Sequence, residues 1–229
     1  MNAPSPSPCH RFALAGETLE ARPSGALFWP APGWLVVSDL HLGKSERLAR
    51  RGGALLPPYE TEETVARLAA EVEAVRPAAV ICLGDSFDDL EAGAALPERA
   101  ASRLSALAAG RRWIWIAGNH DPGPPELAGE HRADLREGPL TFRHEAGAAE
   151  AGSGEISGHW HPKARLAARG RRISRPCFVV SGARVILPAF GAYTGGLDVR
   201  AAPLARLAPE GTALLTGRRV VAAPLAALG

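Results

Sequence analysis

The stretch Ala78-Ala-Val-Ile-Cys-Leu-Gly-Asp85 decides the fold. Its apolar run is too short for a helix and suits a strand buried on both faces. It stops at a Gly-Asp pair, where the glycine lets the backbone turn sharply and send a carboxylate over the sheet edge. Upstream, Pro57-Pro58 marks a helix start. From Glu60 to Val75, the residues Val65, Leu68, Ala69, Val72 and Val75 recur at helical spacing, opposite Glu62, Glu63, Arg67, Glu71 and Glu73. Pro77 ends that helix. Earlier, Leu27 to Pro30 and Trp34 to Val37 read as two strands joined around Ala31-Pro32-Gly33. Lys44 to Arg51 is a short basic helix candidate. Downstream, a second helix spans Pro97 to Ala109, and Arg112 to Ala117 is the next strand. Strand, helix, strand, helix, strand predicts a parallel sheet with right-handed crossovers.

The second half changes character. Leu140 to His144, Glu155 to Ser157, Ile173 to Val180, Arg184 to Leu187, Thr212 to Thr216 and Arg219 to Ala222 are short strand candidates with few helical stretches between them. A second sheet packed on the first accounts for them. Ala146 to Gly154 reads as a surface loop and Gly217-Arg218 as a tight turn. The expectation is an α/β chain with a Pro- and Ser-rich tail over residues 1–10 and a single domain over 11–229.

The 229 residues are 46% hydrophobic and carry a net charge of +2, enough for a sizeable core and too mild to argue for nucleic acid. No apolar stretch reaches the length of a membrane span, and the start lacks the apolar core of a signal peptide, so a cytoplasmic location is expected. Cys9, Cys82 and Cys177 are widely spaced, and no disulfide framework or zinc ribbon follows. Of the 26 basic residues only Lys44 and Lys163 are lysines. Each lies just after a histidine motif, which makes both candidates for a substrate phosphate.

Those motifs are Asp39-Leu-His41, Gly84-Asp85, Gly118-Asn-His-Asp121 and Gly158-His-Trp-His161. Singly, each could be a polar turn. Together, each following a strand, they supply carboxylate, amide oxygen and imidazole without thiolate, the ligand set of a mixed oxygen and nitrogen site for divalent transition metals. In an extended segment residues two apart point the same way, so Asp39 and His41 could grip one ion, and His159 and His161 fall on one side of theirs. The motifs sit at the C-terminal ends of strands, where open α/β sheets bind ligands.

The ordered set resembles the calcineurin-like metallophosphoesterase superfamily. The resemblance implies a four-layer αββα sandwich, two mixed sheets flanked by helices, with two metal ions at the sheet tips. It assigns Asp39, His41 and His161 to one ion, Asn119, His144 and His159 to the other, and Asp85 as the bridge. His144 is chosen over His131 because Leu140 to Arg143 reads as a strand leading into it. Ser38 to Lys44, Leu83 to Phe87, Trp113 to Pro122 and Leu187 to Gly196 are similar to the ligase-associated DNA damage response endonucleases (PdeM). That likeness implies an ATP-dependent DNA ligase, a helicase and an exonuclease as pathway partners. Trp160, Asp88 and Asp198 depart from the pattern at positions outside the ligand set.

The expected chemistry follows from charge. Two divalent cations outweigh Asp39, Asp85 and a bridging hydroxide, so the pocket stays cationic and favours phosphate. Mn is the expected metal, with Fe or Zn as alternatives. His120 is the candidate general acid, with Asp121 orienting its ring. Arg47, Arg50, Arg51, Arg169, Arg171, Arg172 and Arg175 could track a DNA backbone, although such groups commonly form a solvated face. Tyr193 could stack on a base or simply occupy a turn. The leading expectation is a metal-dependent phosphodiesterase or endonuclease acting on DNA. A small-molecule or nucleotide phosphoesterase and a non-catalytic metal-bound scaffold are the alternatives. The intact ligand set and His120 count against the scaffold. The sequence leaves the oligomeric state open.

Overall fold

The computed structural model describes residues 7–45, 47, 59–94, 96–121, 127–147, 152–168 and 171–228. The first sheet has seven strands: β1 His10–Leu14, β2 Glu17–Ala21, β3 Leu27–Trp29, β4 Trp34–Val37, β5 Ala79–Leu83, β6 Arg112–Ile116 and β7 Glu130–Arg132, in that spatial order. Its first four strands pair antiparallel, and β4 through β7 pair parallel. The helices α1 Glu60–Val75, α2 Leu90–Ala94 and α3 Glu98–Ala108 lie in the β4–β5 and β5–β6 connections. This is the expected βαβαβ core.

The strands β4, β5 and β6 show why no polar face appears in the sequence. Trp34, Val36, Ala79, Ile81, Leu83, Ile114 and Ile116 enter one core cluster. Their neighbours Leu35, Val37, Val80, Cys82, Trp113 and Trp115 enter another, with Val65, Leu68 and Val72 of α1. Period-2 alternation sends successive side chains to opposite faces, and both faces are covered. The first cluster is shared with the second sheet, through Phe142, Ile156, Phe178 and Val185.

The second sheet contains β8 Asp134–Glu137, β9 Leu140–Arg143, β10 Gly154–Ser157, β11 Pro162–Ala168, β12 Arg171–Ser181, β13 Arg184–Ile186, β14 Leu197–Asp198, β15 Thr212–Leu215 and β16 Val221–Pro224. Parallel and antiparallel pairs mix within it. Its outer face carries a third cluster, including Cys177, Val179, Ile186 and Leu204 of the six-residue α4 Ala202–Leu207. Among the described residues the two sheets are therefore flanked by helices unequally, with the short α4 and a 3₁₀ turn at Leu225–Ala227 on the second side.

Several expectations change. The last residues of the expected 1–10 tail are ordered: His10 opens β1, and the Pro8 carbonyl accepts a hydrogen bond from Val220 N at 2.8 Å. Backbone pairing, not composition, orders this segment. Residues 1–6 lie outside the described residues. So do most of the Lys44–Arg51 helix candidate, Pro57-Pro58 and part of the 146–154 loop. The β1–β2 hairpin turns at Ala15 and Gly16, both at positive φ, as a tight primed turn requires. Cys82 and Cys177 are buried free thiols, and burial pushes both up, Cys177 to about 12. Among the described residues no helix is long and apolar enough to cross a membrane.

Polar residues buried at the start of α1 position two loops. Glu60 is 1% exposed and accepts hydrogen bonds from Ser45 N at 3.1 Å and Ser45 Oγ at 2.6 Å. Thr61 Oγ1 accepts from Gly43 N, and Thr64 Oγ1 accepts from Ala192 N, both at 2.9 Å. Buried polar groups are tolerated when they are satisfied, and here they tie the loops after β4 and after Phe190 to one helix end.

Candidate metal centre

The loops that follow β4, β5, β6, β9 and β10 meet at one edge of the two sheets. Beyond β4 and β5 the parallel pairing continues without regular strand geometry. Asp39 N donates to Gly84 O at 3.3 Å, His41 N to Asp85 O at 2.9 Å and Leu42 N to Ser86 O at 2.9 Å. Gly158 N donates to His144 O at 2.9 Å and ties the β9 loop to the β10 loop.

Two groups of side chains result. In the first, the ligand atoms of Asp39, His41 and His161 lie within 4.8 Å of one another. His41 Nε2 and His161 Nε2 are 3.3 Å apart, and His161 Nε2 is 3.2 Å from Asp39 Oδ1. In the second, Asp85, His144 and His159 gather within the same limit. Asn119 belongs with them: its Oδ1 is 2.9 Å from both His144 Nε2 and His159 Nδ1. Asp85 Oδ2 is 3.4 Å from His144 Nε2, and the Asp85 carboxylate also feels the charge of His41 in the first group. All seven candidate ligands thus converge.

The histidine tautomers say what this convergence is for. His144 Nδ1 faces the Leu83 carbonyl at 3.0 Å. A carbonyl only accepts, so Nδ1 carries the proton and Nε2 presents its lone pair. That lone pair faces Asn119 Oδ1, another acceptor. Two acceptors at 2.9 Å repel unless a cation or proton lies between them. His41 repeats the pattern, since its Nδ1–H donates to Asp88 Oδ1 at 2.9 Å and leaves Nε2 toward His161. The donor set and its tautomers fit divalent cations.

Asp88 is the residue sequence reasoning placed outside the ligands and gave no role. It is 1% exposed, and Arg47 closes on its other oxygen. A carboxylate behind a ligating imidazole fixes ring orientation and raises ligand basicity. Asp88→Ala is expected to weaken metal affinity about 10–100-fold, as loss of such an outer partner does elsewhere. Titration of the metal-free protein with Mn, followed calorimetrically, checks this. Unchanged affinity would remove Asp88 from the site.

The backbone differs from the extended geometry expected for the DxH and HxH motifs. Asp39, His41, Asp85, His159 and His161 all have positive φ, between 44 and 68°. Left-handed residues, not strand alternation, aim Asp39 and His41 at the first group and split the other pair, sending His161 to the first group and His159 to the second. Each such residue costs about 1 kcal/mol or more, small against the roughly 10–16 kcal/mol that a bound structural metal can return. Two glycines permit the approach of the loops. A Cβ on Gly84, itself at φ +68°, would overlap the His144 ring, and one on Gly158 would overlap Ser38 Oγ. Asp39 lies beneath Gly158, fully buried, and accepts from Ser38 Oγ and from His159 N at 3.0 and 3.2 Å.

Charge is tuned across the groups. Burial is the largest single influence and would raise Asp85, but the hydrogen bond and charge of His144, with the His120 amide and the His41 charge, together hold it at about 2. Burial pulls His144 down, yet Asp85 and Asp39 lift it from 6.5 to about 9. Burial and the neighbouring His144 charge both lower His159. A raised histidine stabilises the metal-free fold fully below pH 6.5 and loses that contribution as pH climbs through about 9. A metal must displace this proton. Metal-induced stabilisation is therefore expected to grow from pH 6.5 to 9, with proton release on binding, which melting curves and weakly buffered titrations measure.

His120 lies beside the groups, with its ring 5.4 Å from that of His41. The expectation that Asp121 orients it is incorrect. His120 Nδ1–H instead donates to the Asp88 main-chain carbonyl at 3.0 Å, leaving Nε2 outward. Asp121 is 2% exposed, and its Oδ2 accepts from Phe87 N at 2.9 Å, so it braces the loop after Gly84-Asp85. Burial, with Asp85 nearby, pushes it up to about 7. The reason is directional: Asp121 turns under the loop while its neighbour turns out. Lys163 donates to Thr194 O at 3.2 Å and, with Tyr193, lines a cavity beside His161. Lys44 is half-buried after Gly43, and no described contact brings it to the ligands. His131 is exposed on β7. Of the arginines, Arg47 contacts Asp88, Arg175 lines the same cavity, and Arg50, Arg51 and Arg169 lie outside the described residues.

Two packed sheets with His, Asp and Asn ligands converging at their edge define a metal-dependent phosphoester hydrolase. The chain belongs to the calcineurin-like phosphoesterase family, whose pattern matches residues 34–180. That span includes all seven candidate ligands and His120. The crystal structure of a Pseudomonas putida nuclease, MPE, superposes with a TM-score of 0.70 and 27% identity, over 95% of this chain and 100% of that one. No curated protein matches the chain.

Proposed function

We propose that the protein is a metal-dependent phosphodiesterase that cleaves DNA, with two divalent cations, Mn foremost, held by Asp39, His41 and His161 and by Asn119, His144 and His159, and with Asp85 between them. The observation that carries this reading is the confrontation of acceptors in two adjacent groups, with Asp85 against the second and in electrostatic reach of His41. Cations bound there would supply a water of lowered pKa and a positive field for phosphate oxygens.

The chain's own groups supply the rest. Asp39, His41 and His144 reach the site with rings and carboxylate already fixed by Asp88, the Leu83 carbonyl and the His159 amide. His120, held through Nδ1, can keep a proton at Nε2 and deliver it to a departing alkoxide. Similarity to a nuclease supports a nucleic-acid substrate. The motif resemblance to ligase-associated endonucleases supports a role in DNA repair beside a DNA ligase, a helicase and an exonuclease.

The test is Mn-dependent cleavage of defined single-stranded, nicked and flapped DNAs by the intact protein. Cleavage of free nucleotides alone would favour a small-molecule phosphoesterase. No turnover with full metal content would favour a scaffold.

A further inference from the structure

We propose that the cavity beside His161 is the subsite for the nucleotide adjoining the phosphate under attack, with Tyr193 stacking on its base and Arg175 and Lys163 holding its far phosphate. This rests on the phosphodiesterase reading. The cavity measures about 380 Å³ and is bounded by the Pro23-Ser24 turn, α1, the start of β11, β12, the loop after Leu187 and the turn after β15. That is at the small end of the roughly 300–1,000 Å³ typical of ligand pockets, with room for one nucleotide unit.

Its composition is divided. Pro23, Pro162, Pro176 and Pro188 line it, giving rigid apolar walls that suit a flat base or a sugar. Arg67, Lys163 and Arg175 face Glu63 as the single acid, so the cavity is cationic. Arg67 is committed: its guanidinium lies 4.8 Å from the Phe190 ring centre and donates to Ser24 O at 2.9 Å. Lys163 spends one donor on Thr194 O. Among the described residues neither Lys163 nor Arg175 has a carboxylate partner. Cations without carboxylate partners on a cavity wall are what a second phosphate of a polynucleotide would meet.

Tyr193 supplies the aromatic surface. It is 54% exposed and sits at φ +56°, uncommon for a bulky residue. The loop that holds it there is pinned on three sides. Ala192 N binds Thr64 Oγ1, Gly191 N binds Asp39 O at 3.1 Å, and Thr194 Oγ1 binds Gly191 O at 3.0 Å. An exposed ring fixed in a strained turn is presented to a ligand, not packed in the core. His161 belongs both to the cavity wall and to the first ligand group, so an occupant is continuous with whatever phosphate is bound there.

The test uses the intact protein and two readouts. Binding of a fluorescent oligothymidylate to the metal-free protein is measured first. KM for the same oligonucleotide and for bis(p-nitrophenyl) phosphate is measured next with Mn. Tyr193→Ala and Arg175→Gln are each expected to weaken oligonucleotide binding about tenfold, the scale of one stacked base or one phosphate contact. They should raise the oligonucleotide KM by a similar factor, at least three times more than the KM of the aryl diester. Thymidine 3′,5′-bisphosphate should compete with the oligonucleotide. Unchanged binding in both variants, or equal KM changes on both diesters, would overturn the subsite while leaving the hydrolase reading intact. Weakened binding in the two variants, beside a wild type that hydrolyses no diester, would keep the subsite and remove the phosphodiesterase.

Discussion

Asp85→Asn is expected to lower phosphodiester hydrolysis by roughly three to four orders of magnitude, about 4–5 kcal/mol at 1.36 kcal/mol per decade. The argument is electrostatic. Asp85 is 3% exposed and held at about 2, so it is charged at every pH of interest. It neighbours His144 at 3.4 Å and senses His41, so its charge reaches both ligand groups. Asparagine preserves the shape, and its oxygen can still accept from His120 N, which Asp85 Oδ1 does at 2.9 Å. The loop itself is held by main-chain bonds such as His41 N to Asp85 O. The fold should therefore persist while a charge that would offset the proposed cations is gone. Metal content should fall from two ions toward one, and His144 should lose the partner that lifts it. Elemental analysis and turnover on one preparation check both. A variant with full metal and activity within tenfold of wild type would sink the bridging role.

His120→Ala should reduce kcat on DNA about 10²–10⁴-fold, the usual worth of a general acid. Metal content should not change, because His120 is exposed and lies outside both ligand groups. The loss should depend on the leaving group. An alkoxide needs the proton at Nε2; a nitrophenolate departs without it. The aryl diester should therefore lose far less. KM should move little, which separates this variant from those at Tyr193 and Arg175. Equal losses on both substrates would make His120 a positioning residue. Asp88→Ala is informative beside it: the substitution removes the carboxylate behind His41 but leaves the carbonyl that orients His120.

Much of the centre is legible in the chain. The run Ala78 to Leu83 shows a strand covered on both faces because alternation cannot leave a polar side when every residue is apolar. The helix Glu60–Val75 is bounded in sequence as in structure, since its apolar positions repeat every three or four residues. The β1–β2 hairpin escapes this reading. Its apolar positions are few, and the Ala15-Gly16 turn lacks the Asn-Gly or Asp-Gly signature. The strand β11 escapes too, because Pro162 to Ala168 carries two charges and few large side chains. Its order comes from pairing with β12 over six positions, a partner that local pattern does not reveal.

The sequence by itself determined the kinds of ligand, their order along the chain and the strand ends that carry them, because these depend on residue type and short-range periodicity. Only the tertiary structure decided how they aim. The left-handed turns at five ligands, the carboxylate of Asp88 behind His41, the redirection of Asp121 away from His120 and the proline-walled cavity beside His161 all arise from contacts between segments distant in the chain. Such contacts are set by which loops the two packed sheets bring together, and no local pattern encodes that.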